Sequence, residues 1–395
     1  MKNIYLDHAA ATPLCDEAWN AMRTVYTSIH GNPSSIHRTG REARALVEYA
    51  RGKVAGSLGA TSEEITFTGS GTEANNLALF GTVLNRNGNN KGHILVSPIE
   101  HHSVLAAAHR LSGEGFDVEY LEVDATGRVS LEGLYERLRD DTRLISIMYA
   151  NNEIGTIEPI REIANMLERR FPAGKKPLFH TDACQAAGQL PLSPRELGVD
   201  LMTLNGSKLY GPKGVGMLYV RDGITLTPQL VGGFQEFGRR AGTENVALIV
   251  GFAEALAYAV NEQGIESKRL LALRDEFIED VLMRLPSATL TGHKTERLPN
   301  NAHFLIPHIE GEALLLMLDS YGIAAATGSA CSSESLSPSH VLRALHINTT
   351  RIHGSIRFSL GRGTTRRDLK ETVRTLKECV HYLTSFSPLT SYEYR

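Results

Sequence analysis

The sequence has no long uncharged apolar run and no strong excess of one charge. Its richest apolar stretch, residues 245–260, is interrupted by Glu254, so no segment reaches the roughly 18 residues that a membrane span needs. The first seven residues already turn polar, which argues against a secretory signal peptide. Lysine and arginine number 41 against 44 aspartate and glutamate, and a net charge of −3 gives no electrostatic basis for binding membranes or nucleic acid. We therefore expect a cytoplasmic protein with neither kind of partner.

Cysteine is also scarce, and its four positions are Cys15, Cys184, Cys331 and Cys379. No pair has the CxxC spacing typical of zinc sites or redox disulfides, so we predict no metal site. Cys15 and Cys379 have no other chemical signal nearby, which favours reduced packing thiols. Cys331 differs because it lies in a run of small residues, ATGSACSS, at positions 326–333. A thiol in such a segment is suited to attack a substrate and then to move away.

The middle of the chain alternates short apolar strands with helical patterns. We predict strands at residues 65–68, 93–97, 143–149, 178–182, 201–204 and 215–220. We predict helices at residues 72–84, 131–139, 160–169 and 194–197. This alternation indicates an α/β fold with a mostly parallel sheet, which binds ligands at the carboxyl ends of its strands.

The pattern changes after about residue 245. The predicted elements there are a long helix at residues 246–285, a strand at 299–306, and helices at 311–320 and 368–383. They indicate a second, smaller α+β domain, in agreement with the two domains that a length of 395 residues favours.

A phosphate-binding turn is a candidate at residues 67–76, which read FTGSGTEANN. A strand ends there, two glycines allow a tight turn, and a helix opens. Free backbone N–H groups at a helix start favour a phosphate, and Thr72 can add a hydroxyl. Taken alone the signal is weak, because strand–glycine–helix turns are common.

Three further strand-end loops carry an acid, a base and an amine. Asp182 closes an apolar strand, where a buried carboxylate needs a cation such as a pyridinium, or serves instead as a helix cap. Lys208 lies in a glycine-rich loop, where partial desolvation favours the neutral amine that forms Schiff bases; the alternative is a solvated loop lysine. His101 can stack on a flat ring and transfer protons, although a lone histidine is more often a surface or capping residue.

These four loops together supply an anion site, an imidazole, a buried carboxylate and a lysine. Pyridoxal phosphate needs all four groups, and a parallel sheet can bring the loops to one crevice.

The chain resembles cysteine desulfurases of the NifS/IscS type, within the class V aminotransferase group of fold-type I pyridoxal-phosphate enzymes. Besides the four loops, the resemblance is carried by YLDHAAATP at 5–13, GNPSS at 31–35, NNEIG at 151–155, RAGTEN at 240–245, GSAC at 328–331 and SIRFSLGR at 355–362. It implies a fold-type I PLP-dependent transferase. The large α/β domain would span residues 16–255, and residues 1–15 with 256–395 would form the small domain that carries the Cys331 loop.

By this resemblance, Lys208 would bind the cofactor covalently, His101 would stack on its ring as an acid/base, and Asp182 would pair with the ring nitrogen. The other implied cofactor contacts are Ser70, Gly71, Thr72, Asn152, Gln185, Asn205 and Ser207. Thr243 would reach a phosphate in the neighbouring subunit, so the resemblance implies a homodimer. Asn152 and Arg357 would hold the carboxylate of L-cysteine.

The implied reaction removes sulfur from L-cysteine to give L-alanine and a persulfide on Cys331. A sulfur-acceptor protein, in iron–sulfur cluster assembly or thiolation, would then receive the sulfur. The alternatives are a selenocysteine lyase, a class V aminotransferase, which has no need of Cys331, and a non-catalytic scaffold, which needs none of these groups.

Two positions depart from the family pattern. Ser207 replaces the usual histidine before the lysine, and Asn205 replaces a serine. Both side chains can still hydrogen-bond an anion. We expect cofactor binding weaker by about 1–2 kcal/mol if nothing compensates, with activity retained. Cys184 replaces another small residue and is interpreted as a buried packing thiol.

Overall fold

The computed structural model of the chain describes residues 3–84, 91–172, 174–327 and 338–386. In these ranges the strands are β1 (Ile4–Tyr5), β2 (Ile65–Thr68), β3 (His93–Val96), β4 (Asp117–Tyr120), β5 (Thr142–Ser146), β6 (Leu178–Asp182), β7 (Leu201–Asn205), β8 (Gly216–Val220), β9 (Thr289–Leu290), β10 (Asn301–Leu305), β11 (Ile323–Ala324) and β12 (Ser355–Ser359). The helices are α1 (Asp16–Ser28), α2 (Arg38–Leu58), α3 (Gly71–Val83), α4 (His102–Gly113), α5 (Leu131–Arg137), α6 (Ile160–Arg170), α7 (Pro194–Leu197), α8 (Val246–Arg284), α9 (Gly311–Ser320), α10 (His340–Ala344), α11 (Thr349–Ile352) and α12 (Arg366–Ser385).

The main sheet has seven strands in the order β2-β8-β7-β6-β5-β3-β4. Only β8 runs antiparallel to its neighbours, so the predicted α/β fold with a mostly parallel sheet is confirmed. Successive strand residues point to opposite faces: Leu144 packs in a core with α3 and α4, and Ile145 in a core with α2, α6 and α8. Helices on both faces explain why these strands, apart from the edge strand β4, are almost entirely buried.

A second core forms around the sheet β12-β10-β9 and the strand pair β1-β11, with the end of α8, α9 and α12. Phe277, Phe304 and Phe358 meet in its centre with ring centroids 5.2–6.4 Å apart. The N-terminal strand β1 pairs in parallel with β11, so the two ends of the sequence meet in this core. The domain boundaries given above stay a prediction.

Several predicted boundaries were wrong. The strand predicted at 143–149 ends at Ser146. Beyond it, the N–H groups of Ile147 and Tyr149 still donate to β6, but that of Met148 is bound by the buried carboxylate of Glu100. Ten elements of the described ranges were not predicted, namely β1, β4, β9, β11, β12, α1, α2, α4, α10 and α11. Strand β4 gives no apolar signal because it is an edge strand whose Asp117 and Glu119 form ion pairs with Arg139. None of the helices in the described ranges combines the length and the apolar character that crossing a membrane requires.

Candidate active site

The loops that follow β2, β3, β5, β6 and β7 meet at a cavity of about 190 Å³. The predicted site residues that line it are Gly71, Thr72, His101, Asn152, Asp182, Gln185, Asn205, Lys208 and Arg357. Ser70 and Ser207 are not among the lining residues but adjoin them in the chain, and Thr243 is exposed. Cys331 lies outside the described residues. The structure therefore brings together residues from across the main sheet and from β12.

The phosphate turn has the form that the sequence predicts. The hydroxyl of Ser70 accepts a hydrogen bond from the N–H of Glu73 at 3.1 Å and caps α3, so it serves the helix itself. A side chain at Gly71 would come within 3.0 Å of the Cys184 sulfur, which explains why a glycine stands there. Thr72 is left at the first turn of α3, lining the cavity.

Lys208 projects from a short 3-10 turn that follows β7. Its ammonium donates to the carbonyl oxygens of Ala9 and Ala10 at 2.9 and 2.5 Å, and the Gln185 amide donates to the same Ala9 oxygen at 2.9 Å. The N–H and the hydroxyl of Thr12 both donate to the carbonyl of Ser207. The N-terminal segment is thus a wall of the cavity, a contact that the sequence reasoning missed.

Asp182 is 6% exposed at the end of β6. One carboxylate oxygen accepts from the Asn75 amide at 2.7 Å, and the other from the N–H of Cys184 at 2.9 Å. The second bond stabilises the turn at residues 184–189, and since no helix begins there, the alternative interpretation of Asp182 as a helix cap is wrong. Cys184 is buried as predicted, but it also lines the cavity. Burial and Asp182 hold the pKa of its thiol well above the usual value, so it stays protonated.

His101 is joined to Asp182 by two side chains that the sequence reasoning missed. The Asn75 amide donates to the hydroxyl of Ser103 at 2.9 Å as well as to Asp182. Nδ1 of His101 contacts that hydroxyl at 2.8 Å and accepts from the N–H of Ser103 at 3.1 Å. Nδ1 is therefore an acceptor, and the neutral ring carries its proton on Nε2. Burial lowers the pKa of His101, which favours this neutral form. Asn75 lies one helical turn after Gly71, and that i, i+4 spacing is a signal that could have identified it.

Arg357 lies on β12 and is 3% exposed. Its guanidinium donates to the carbonyl of Asn152 at 2.9 Å and to the carboxylate of Asp7 at 2.8 Å. Its backbone pairs with Ala326, the second residue before the undescribed segment 328–337. On the far side of that segment, the hydroxyl of Ser339 donates to Glu153 at 2.8 Å. The described residues that flank the Cys331 segment therefore contact the loops of the site.

Three buried acids lie in the segments that follow β3 and β5 and were not identified from the sequence. Glu100, Glu153 and Glu158 are at most 2% exposed. Burial raises the pKa of Glu153 to about 7 and that of Glu158 to about 8, and it raises the pKa of Glu100 well above its usual value. Beneath Asp182, His180 hydrogen-bonds Ser146 and Thr203, and burial lowers its pKa to about 4. Glu100, Glu153, Glu158 and His180 are therefore largely neutral at slightly acidic pH.

Residues 4–371 match the aminotransferase class-V family. The chain belongs to that family. "Cysteine desulfurase IscS" of Dictyoglomus turgidum is 48% identical over 387 residues, which cover 98% of this chain and 97% of the relative. A solved structure described as a NifS-like protein has a TM-score of 0.89 and 36% identity, covering 96% of this chain and all (100%) of that one. The structure of SspA in complex with cysteine has a TM-score of 0.78 and 32% identity, covering 90% and 98%.

These relatives confirm the predicted resemblance to cysteine desulfurases of the NifS/IscS type and the fold-type I assignment. Enzymes of this family depend on pyridoxal phosphate.

Proposed function

We propose that this protein is a cysteine desulfurase, which converts L-cysteine to L-alanine and carries the sulfur as a persulfide on Cys331. The observation that carries the proposal is the meeting of Lys208, His101, Asp182 and Arg357 at one cavity, in a chain whose relatives bear that name. A sulfur-acceptor protein then takes the sulfur, for iron–sulfur cluster assembly or thiolation.

The cavity fits pyridoxal phosphate. Asp182 faces it with a carboxylate that can accept the ring N–H, and Thr72 lies at a helix start that favours a phosphate. The Oδ1 atom of Asn75 is buried and has no hydrogen-bond partner among the described residues, so a bound ligand can donate a hydrogen bond to it. Lys208 would hold the cofactor, and Gln185 would bind its ring hydroxyl. When bound, the group withdraws electrons from the substrate Cα.

Residues of the chain bind the substrate, transfer protons and accept the sulfur. Arg357 and Asn152 bind the substrate carboxylate, which orients the Cα toward Lys208 and His101. His101, with its proton on Nε2, gives and takes protons at the substrate. The Cys331 thiolate attacks the substrate sulfur: an S–S bond forms and the Cβ–S bond breaks. The carbon fragment keeps the electron pair of that bond, takes up a proton and leaves as L-alanine.

A homodimer is part of this proposal. Thr243 is exposed, so it is accessible to a neighbouring subunit, whose phosphate it would bind. Val231 and Phe234, on the same segment, are 84% and 94% exposed, and a subunit interface would bury this apolar surface. Arg240 pairs with Glu73 at 2.7 Å and holds the segment beside the phosphate turn. Light scattering should give twice the mass of one chain, and a monomer would refute this part.

The test is release of alanine and sulfide from L-cysteine with a reductant, for the intact holoenzyme, Cys331→Ala and Cys379→Ala. Cys379 is buried in α12 and serves as the matched thiol control. We expect turnover by the intact protein and by Cys379→Ala. Cys331→Ala should keep its cofactor colour and release no sulfide. Equal alanine release by Cys331→Ala would exclude Cys331 as the nucleophile and favour the lyase alternative.

A further inference from the structure

The loop at residues 152–155 is bound through four consecutive backbone carbonyls. The four bonds are Arg357 Nη1 to the oxygen of Asn152 at 2.9 Å, Asn301 Nδ2 to that of Glu153 at 3.1 Å, Arg297 Nη1 to that of Ile154 at 2.8 Å, and the Leu298 N–H to that of Gly155 at 2.8 Å. All four donors come from β12, from β10 or from the segment that leads into β10. The loop follows β5 of the main sheet, so it joins the two cores.

Arg297 is the most unusual of these donors. It is 2% exposed, and its guanidinium is bound by the carbonyls of Ile154, His293 and Thr291 and by the amide oxygen of Asn301. Among the described residues no carboxylate forms an ion pair with it. Burial lowers its pKa to about 9, so it remains charged at neutral pH. A buried cation held by neutral oxygens costs folding free energy, but it fixes those oxygens in place.

The packing around this arginine leaves the loop no room to shift. Gly155 has a φ of +77°, and a side chain on it would come within 2.5 Å of the Asn301 side chain. Gly292 has a φ of +78°, and a side chain there would come within 2.4 Å of the Ile154 carbonyl. On the inner side, the Asn151 side chain accepts from the N–H groups of Glu153 and Ile154 at 2.8 and 2.9 Å. The backbone on both sides of Asn152 is therefore fixed.

We propose that Arg297 and Asn301 are positioning residues that set the place of Asn152 relative to Arg357, and through that pair the selectivity for substrates with an α-carboxylate. The inference rests on the proposed function, in which Asn152 and Arg357 bind that carboxylate. Neither Arg297 nor Asn301 lines the cavity, so both act through the loop. Loosening the loop weakens carboxylate binding and leaves the contacts of Lys208, His101 and Asp182 unchanged.

The test compares Arg297→Lys and Asn301→Ser with the control Arg274→Lys. Arg274 is also 2% exposed and also binds carbonyls, those of Arg297 and Leu298 at 3.2 and 2.8 Å, but it forms no hydrogen bond or ion pair with the described residues 152–155. Each holoenzyme is assayed for kcat and KM with L-cysteine. Cysteamine, which lacks the carboxylate, is titrated by the change in cofactor absorption. Asn301→Ser is the smaller change and serves if Arg297→Lys does not fold.

We expect the two loop variants to raise the KM for L-cysteine roughly tenfold or more, with kcat, cofactor content and cysteamine affinity within a factor of about three. Arg274→Lys should leave the KM unchanged even where it lowers the thermal stability equally. An unchanged KM in the loop variants, or an equal rise in Arg274→Lys, would overturn the positioning role. Absence of sulfide release by the intact enzyme would refute the proposed function instead. In that case the ratio of L-cysteine to cysteamine affinities still tests the loop.

Discussion

The guanidinium of Arg357 lies 2.8 Å from the carboxylate of Asp7, so the arginine assigned to the substrate carboxylate already binds a carboxylate of its own chain. The pair neutralises a cation that is almost fully buried. Without Asp7, the buried charge of Arg357 would lower the stability of the fold. It also orients the planar guanidinium, because a second Nη is bound by the carbonyl of Asn152. Each Nη atom keeps a second N–H, and in the proposed function these two groups bind the substrate carboxylate.

Arg357→Lys should lower kcat/KM for L-cysteine by roughly 100-fold, because a lysine cannot present two parallel donors to a carboxylate. The effect should fall mainly on KM, and the visible absorption of the cofactor should stay unchanged. Steady-state kinetics with the holoenzyme measure both. A variant with normal KM would remove Arg357 from the substrate site.

Lys208→Ala should abolish turnover and the visible absorption of covalently bound cofactor. Water would replace the ammonium as the hydrogen-bond donor to the carbonyls of Ala9 and Ala10, so the fold should persist. Absorption spectra and thermal unfolding of the variant check the two statements. Lys213→Ala, a change at an exposed position of the same loop, is the control and should keep both colour and activity.

Glu153→Gln should make the protein more stable at pH 8 and leave its stability unchanged near pH 4. Burial raises the pKa of Glu153 from its ordinary 4.5 to about 7. Between these two values the folded state holds a proton that the unfolded state has lost, so stability falls as the pH rises through this window. At pH 8 the charged carboxylate therefore destabilises the fold, by about 3 kcal/mol at most.

The glutamine is neutral at every pH and can still accept from Ser339, which makes it a matched replacement for Glu153. Thermal unfolding of both proteins at pH 4, 5, 6, 7 and 8 gives the comparison. His303, Arg357 and Ser339 face the carboxylate in both proteins, and the other buried acids are unchanged, so the difference isolates Glu153. A difference that does not vary with pH would contradict the prediction.

Ser207→His should tighten cofactor binding by about five- to thirtyfold, which corresponds to the 1–2 kcal/mol expected for one added hydrogen bond to phosphate. Titration of the apoprotein with pyridoxal phosphate measures the dissociation constant. Asn205→Ser, the other reversion toward the family pattern, removes the cap on the Ser207 N–H at 3.4 Å and gains no imidazole. It should not tighten binding, and equal gains in both variants would contradict this explanation.

The sequence predicted the parts of the site that have local signals. Asp182 and Lys208 follow apolar strands, and the Gly71 turn opens a helix, so their meeting follows from a parallel sheet. The order of the sheet was not predictable, because it is set by contacts between strands that are far apart in the sequence.

Other parts of the site have no local pattern at all. The Ala9 carbonyl is an ordinary backbone group until Lys208, 199 residues away, binds it. Ser103 and Glu153 become notable only through their partners, Asn75 and Ser339. Burial is the largest cause of the raised pKa of Glu153, and burial at a loop cannot be seen from spacing.

The N-terminal wall of the cavity also determines when the cavity is completed during translation. The ring of His8 and the N–H of Ala9 bind Ser359, at 3.0 and 2.8 Å, across 351 and 350 positions of the sequence. Residues 8–10 leave the ribosome long before residue 359 is added. The segment of Ala9 and Ala10, which binds Lys208, therefore cannot pair with β12 until translation is nearly finished. A chain that stalls before β12 therefore has every strand of the main sheet, but it lacks Arg357 and the Ser359 that binds His8 and Ala9.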